Sequence, residues 1–156
     1  MEHDVSGKQY QHIEESDGVR PPPGTEVLRT RTAEIWIGSD GILRVVSLQG
    51  AVHGAAEARE NLAAIPVEQK RMRPLLVDMR RIGAIKREAR EIYRSPGKNS
   101  NSSAMALLIE SALSKAIGNF FIGLSKMHIP TRLFTDPARA LDWLRGYLDS
   151  SAAPGS

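Results

Sequence analysis

The sequence predicts an α/β domain in which a β-hairpin leads into four successive β-α units, giving a mixed, mostly parallel five-stranded sheet packed by helices. Three observations carry this. Two β-rich runs near residue 40 are separated by a glycine-flanked turn. Pro74–Met79 and Ala104–Ile109 are short, nearly continuous apolar runs, as expected of strands covered on both faces. The segments after the strands change to apolar residues spaced three and four apart, the period of a helix packed on one side.

Taken in order, Glu34-Ile35-Trp36-Ile37 and Ile42-Leu43-Arg44-Val45-Val46 form the hairpin around Gly38-Ser39-Asp40-Gly41. Ala55, Ala58, Leu62 and Ile65 mark the first helix, closed by Pro66. After the strand at 74–79, Ile85, Ala89, Ile92 and Tyr93 mark one side of a second helix that ends at Ser95-Pro96-Gly97. A third helix follows the strand at 104–109, with Leu113, Ile117, Phe120, Phe121 and Leu124 on one face, and with Gly118 and Gly123 either permitting close packing or loosening the helix. Thr131–Phe134 is the last strand. Asp136 then caps a helix with Pro137 at its first position, where a missing N–H is harmless, and Leu141, Leu144 and Leu148 face inward.

The ends read differently. Residues 1–25 lack apolar periodicity, are acidic and finish in Pro21-Pro22-Pro23-Gly24, so they are expected to form a disordered tail. The domain is then expected over 26–149, with 150–156 frayed. No run of 18 apolar residues exists and the first residues are polar, which points to the cytoplasm.

Composition narrows the chemistry. Cysteine is absent, which excludes disulfides, thiolate catalysis and Cys-based metal sites. Of the four histidines, His3 and His12 lie in the tail, and His53 and His128 have no ligand spacing, so no metal site is expected. His53 opens the first helix and reads as a surface or capping group. Gly97-Lys98-Asn99-Ser100 is no phosphate loop, because position 92 is isoleucine and a helix precedes it. No Gly-x-Ser-x-Gly elbow occurs. Asp78 ends a parallel strand, where open sheets hold ligands, but reads as a turn residue bonded to nearby backbone N–H groups. These absences predict a protein that is no enzyme and carries no cofactor.

Charge is unevenly spread. The net formal charge is +3, yet residues 1–26 carry a balance of −4 and residues 70–98 one of +7. Within the basic stretch Arg87, Arg90 and Arg94 fall at i, i+3 and i+7 and share a helix face bordered by Lys86. This face is the candidate contact for an anionic partner. Aromatic residues for base stacking are missing there apart from Tyr93, which argues against nucleic acid. Phe120, Phe121 and Leu124 are the candidate lining of an apolar cleft.

The order of elements resembles the STAS (SpoIIAA-like) domain, the family of sporulation anti-anti-sigma factors and the cytoplasmic domains of sulfate transporters. Leu76-Val77-Asp78-Met79-Arg80-Arg81-Ile82 looks like that family's strand and following aspartate. Four further segments are similar to bacterial STAS/SEC14-like proteins of unknown function: Ala106–Ile109, Ile117-Gly118-Asn119-Phe120-Phe121, Pro130–Phe134 and Ala140-Leu141-Asp142-Trp143-Leu144. The resemblance covers about residues 34–148 and implies a regulatory module that binds another protein or a second copy of itself. Its SEC14-like side implies, as the alternative, a small lipidic or anionic ligand. The sequence departs from the family at the switch. Anti-anti-sigma factors carry a phosphorylatable serine at the start of the helix after this strand, where Ala84-Ile85-Lys86-Arg87-Glu88-Ala89 has no hydroxyl.

Overall fold

A computed structural model describes residues 17–66, 72–94, 102–125 and 129–148. The expectations for residues 1–16, for Gly97–Ser100, for His128 and for 150–156 lie outside these, as do the side chains of Phe121 and Leu124. The elements are β1 (Leu28–Arg29), β2 (Ala33–Ile37), β3 (Leu43–Ser47), β4 (Val52–His53), α1 (Ala55–Ala64), β5 (Arg73–Asp78), β6 (Ala84–Ile85), α2 (Arg87–Arg94), β7 (Ser102–Leu108), α3 (Ala112–Ser125), β8 (Thr131–Phe134) and α4 (Pro137–Arg145).

The main sheet has the order β1-β2-β3-β5-β7-β8. The hairpin β2–β3 is antiparallel, and β3, β5, β7 and β8 run parallel. All five expected strands are present, and the two-residue β1 extends the sheet beyond β2. The hairpin and the four β-α units are those the STAS resemblance implies. Gly41, at φ 85°, makes the hairpin turn possible, in conformational space that side chains avoid.

Strand alternation builds a core on each face. Leu76, Ala106 and Leu108 point to one side, where they meet Ala140, Leu141 and Leu144 of α4. Leu75 lies with Ala33, Ile35 and Leu43 on the other side, beside Ala64 and Ile65 at the end of α1. Leu107 on that side packs with Met79 and with Ile117 of α3. Asp136 caps α4 as expected, accepting from the Ala138 N–H at 3.0 Å.

Four expectations are corrected. Ile85 does not belong to the helix. It forms β6, which pairs in parallel with β4 (Val52 with Ala84, His53 with Ile85) in a small second sheet. Gly83 permits this, since a Cβ there would lie 2.5 Å from the Gly50 carbonyl oxygen. Among the described side chains of α3 the buried positions are Ser114, Ile117 and Gly118, whereas Leu113 is exposed and Phe120 is half-buried. Small residues set those positions, because a Cβ on Gly118 would stand 2.6 Å from Leu133 Cδ2. His53 is buried. Finally, part of the expected tail is packed: Val19 is 3% exposed and joins the α4 core. The adjoining Gly18 carbonyl accepts from Arg44 Nε at 2.6 Å, and Asp17 lies 3.8 Å from Arg80. Residues 17–20 are therefore a strap on the α4 face, ahead of the expected boundary at residue 26.

Candidate functional site

Two features meet at α2, one on its outer side and one beneath it. On the outside, Lys86, Arg87 and Arg94 are exposed, and none of the ion pairs among the described residues involves them. Arg90, expected in the same row, is half-buried, with its guanidinium carbon 5.5 Å from the centre of the Phe120 ring. A cation over an aromatic face is held by the ring quadrupole, so Arg90 ties α2 to α3. Phe120 is thus engaged at a helix–helix joint. The cationic face that solvent meets is Lys86, Arg87 and Arg94.

Beneath α2 lies a polar network that the sequence reading missed. Thr30 Oγ1 accepts from the Ala33 and Thr32 N–H groups, at 3.0 and 3.3 Å, which directs its own proton to Asn61 Oδ1 at 2.5 Å. Asn61 Nδ2 then donates to Thr32 Oγ1 and to Tyr93 Oη, each at 2.9 Å. Tyr93 Oη lies 2.8 Å from His53 Nδ1, and His53 Nε2 faces Ser47 Oγ at 3.5 Å. Five elements or turns are stitched by these contacts: the β1–β2 turn, β3, β4, α1 and α2.

The donors decide the state of the imidazole. Asn61 Nδ2, which can only donate, approaches His53 Nδ1 at 3.4 Å alongside the tyrosine hydroxyl. Nδ1 is therefore the acceptor, and Nε2 carries the proton toward Ser47. Burial pushes the His53 pKa below the ordinary imidazole value, and the nearby Glu57 charge opposes this in part. Burial likewise raises the Tyr93 pKa, the hydrogen bond from Asn61 working against it. Glu57 is itself fixed at the start of α1: its Oε1 accepts from the Gly54 N–H at 2.8 Å, and its Oε2 is 3.2 Å from Arg31.

One signal for this network was present in the sequence. Asn61 stands three residues after Ala58 and four before Ile65, within the inner row of α1, where a polar side chain requires buried partners. Nothing in the spacing identified His53, Tyr93 or Thr30 as those partners. Asp78 behaves as its turn reading expects. Its Oδ1 accepts from the Arg80 backbone N–H at 3.0 Å, and Arg80 folds back on both carboxylate oxygens at 3.0 and 2.9 Å. That hydrogen bonding raises the Arg80 pKa further above its ordinary value.

Among solved structures the chain is similar to an uncharacterized protein from the DUF3478 family with a SpoIIAA-like fold from Shewanella loihica PV-4. Identity is 15%, over 78% of this chain and 92% of that one, with a TM-score of 0.44. It is also similar to a protein of unknown function from Arthrobacter sp. FB24, at 33% identity over 70% of this chain and 96% of that one, with a TM-score of 0.25. No protein of curated function matches. A family model for a domain of unknown function, DUF7793, matches residues 35–148, a span running from the hairpin to the end of the last helix, and the chain belongs to that family.

Proposed function

We propose that this chain is a non-catalytic protein-interaction module that presents the outer face of α2 to an acidic surface on a partner protein. The observation that carries this reading is the exposure of Lys86, Arg87 and Arg94, beside the exposed Glu88 and Glu91, on a helix whose inner side is occupied by Ala89, Tyr93 and the Arg90–Phe120 stack. Cations so placed contribute little to folding, because exposed charge pairs are worth about 0–1 kcal/mol. Their rigid presentation favours recognition, since an ordered helix has less freedom to lose on binding. The serine switch of anti-anti-sigma factors has no hydroxyl to act on at residues 84–89, so control by phosphorylation at this position is not part of the proposal.

The test compares the immobilised full chain with an Arg87→Gln/Arg94→Gln variant in cell extract over a salt series. The expected result is a protein retained by the wild type, lost from the variant, and released as screening shortens from about 8 Å at physiological salt to about 3 Å at 1 M. Sedimentation of the purified chain identifies the case in which that partner is a second copy. Retention indifferent to both substitution and salt would overturn the proposal.

A further inference from the structure

Tyr93 and the cationic face belong to the same two-turn helix, so whatever holds Tyr93 also sets the position of Arg94 and Arg90. At its start α2 is tied by backbone: the Lys86 N–H donates to the His53 carbonyl at 2.8 Å, next to the β4–β6 pairing. Toward its end it is tied to the polar network by the Tyr93 hydroxyl, which bonds His53 and Asn61. His53 thus sits under these two attachments, the stacking of Arg90 on Phe120 being a third, and only the one through Tyr93 depends on the state of its ring.

That attachment changes with the ring: neutral Nδ1 accepts the Tyr93 hydroxyl proton, and a protonated Nδ1 cannot. A proton on Nδ1 would point an N–H toward the Asn61 amide N–H group and would force the Tyr93 hydroxyl proton to turn away, since Tyr93 Oη, already accepting from that amide, could meet the ring only as an acceptor. It would also place a cation at a site that is 5% exposed. The groups facing the ring are few. Ser47 comes from β3, Asn61 and Glu57 from α1, and Tyr93 from α2, while Ile85 of β6 is apolar. Lys86 lies close by, its Cδ 3.8 Å from a Cβ built on Gly54. Among the described residues Glu57 is the group that favours the cation, and that carboxylate is shared with Arg31 and the Gly54 N–H. Rehydration of a charged ring requires that its cover move, and part of that cover is Tyr93.

We propose that His53 is a proton-operated latch on α2, holding the helix against α1 when neutral and letting its C-terminal half swing outward about the β6 end when protonated. Mild acid would then move Arg94 relative to Lys86 and Arg87, which regulates the surface assigned above. This consequence rests on the binding role of α2, whereas the latch itself does not. The shift of the His53 pKa below its ordinary value has the sign that such coupling requires.

Amide exchange of the free full-length chain, corrected for its intrinsic pH dependence, tests the latch without any partner. Between about pH 7.5 and about pH 5.5, exchange at residues 90–94 is expected to quicken about tenfold relative to β7, the factor for one unit of pH below the ordinary imidazole value. Tyr93→Phe is expected to exchange fast at both values. His53→Asn, which keeps an acceptor near Nδ1 but takes no proton, is expected to exchange slowly at both. Unchanged protection of α2 in the wild type, or the same pH response in His53→Asn, would overturn the latch. Should that variant not fold, an undiminished pH response in Tyr93→Phe would do so. Arg87→Gln/Arg94→Gln is expected to leave exchange unaltered while abolishing binding, so either proposal can fail without the other.

Discussion

The amide of Asn61 joins side chains from two separate parts of the chain, the β1–β2 turn and α2, with one planar group. Its Oδ1 takes the Thr30 proton, and its Nδ2 serves Thr32 and Tyr93. Alanine at this position leaves two buried hydroxyls short of a donor, so Asn61→Ala is expected to cost about 1–3 kcal/mol, read as a lower denaturation midpoint. A loss under about 0.5 kcal/mol, the range of surface substitutions, would show that the network stabilises nothing. Gly118 poses the opposite problem, one of space. Alanine there gains about 1 kcal/mol of helix propensity, which its new contact with Leu133 offsets. Valine adds volume with no further propensity, and Gly118→Val is expected to destabilise by about 1–3 kcal/mol through overpacking against Leu133, Ile109 and Met79. His53 contributes a pH term whose sign follows from its lowered pKa. The unfolded chain takes up the proton first, so stability holds above about pH 6.5 and declines as pH falls below it. Denaturant titrations at several pH values check this, and His53→Asn should flatten the profile.

At the scale of elements, the helices split unequally. The cores beside α1 and α3 occupy one face of the sheet, while α4 is the helix on the other, with the strap beside it. Removal of residues 1–20 is accordingly expected to lose the burial of Val19, worth about 1.5–3 kcal/mol, and to deprive the buried Arg44 of the Gly18 carbonyl. Calorimetry should show a lower melting temperature; an unaltered one would mean that the strap stabilises nothing. The hydrophobic pattern could not reveal this strap, because a single valine beside a glycine has no periodicity. The same limit hid β1, β4 and β6, each of two residues. Ile85 reads as helical because it sits four residues before Ala89, a spacing that a strand followed closely by a helix also produces. Longer elements were legible: the runs at 74–79 and 104–109 are β5 and β7 to within two residues at each end.

For the whole molecule, the alternation of β5 and β7 creates two cores that share a sheet but no cluster. Leu107 lies in one and Leu144 in the other, both essentially buried. Each change to alanine is expected to cost about 2–5 kcal/mol. The double variant should show the sum to within about 0.5 kcal/mol, as for independent sites, and a larger departure would mean that strain crosses the sheet. This two-sided plan was readable because it depends on many apolar residues in register. The candidate site was readable only in part. Exposed charge at Lys86, Arg87 and Arg94 follows from helix spacing, but the stacking of Arg90 on Phe120 and the convergence on His53 depend on how α1, α2 and α3 meet.

The strap also bears on the order in which the fold is completed. Gly18 rests against Leu141 of the last helix, since a Cβ there would lie 2.5 Å from Leu141 Cδ1. The slot for Val19 therefore does not exist until α4 is seated on the sheet. Contacts that join opposite ends of a chain carry the largest closure entropy and form after the local β-α units. Docking of the strap falls on the native side of the folding barrier, where a contact slows unfolding and leaves the folding rate alone. In stopped-flow measurements, Val19→Ala should steepen the loss of native protein in denaturant while refolding proceeds at the wild-type rate. The chain closes its clasp last and opens it first.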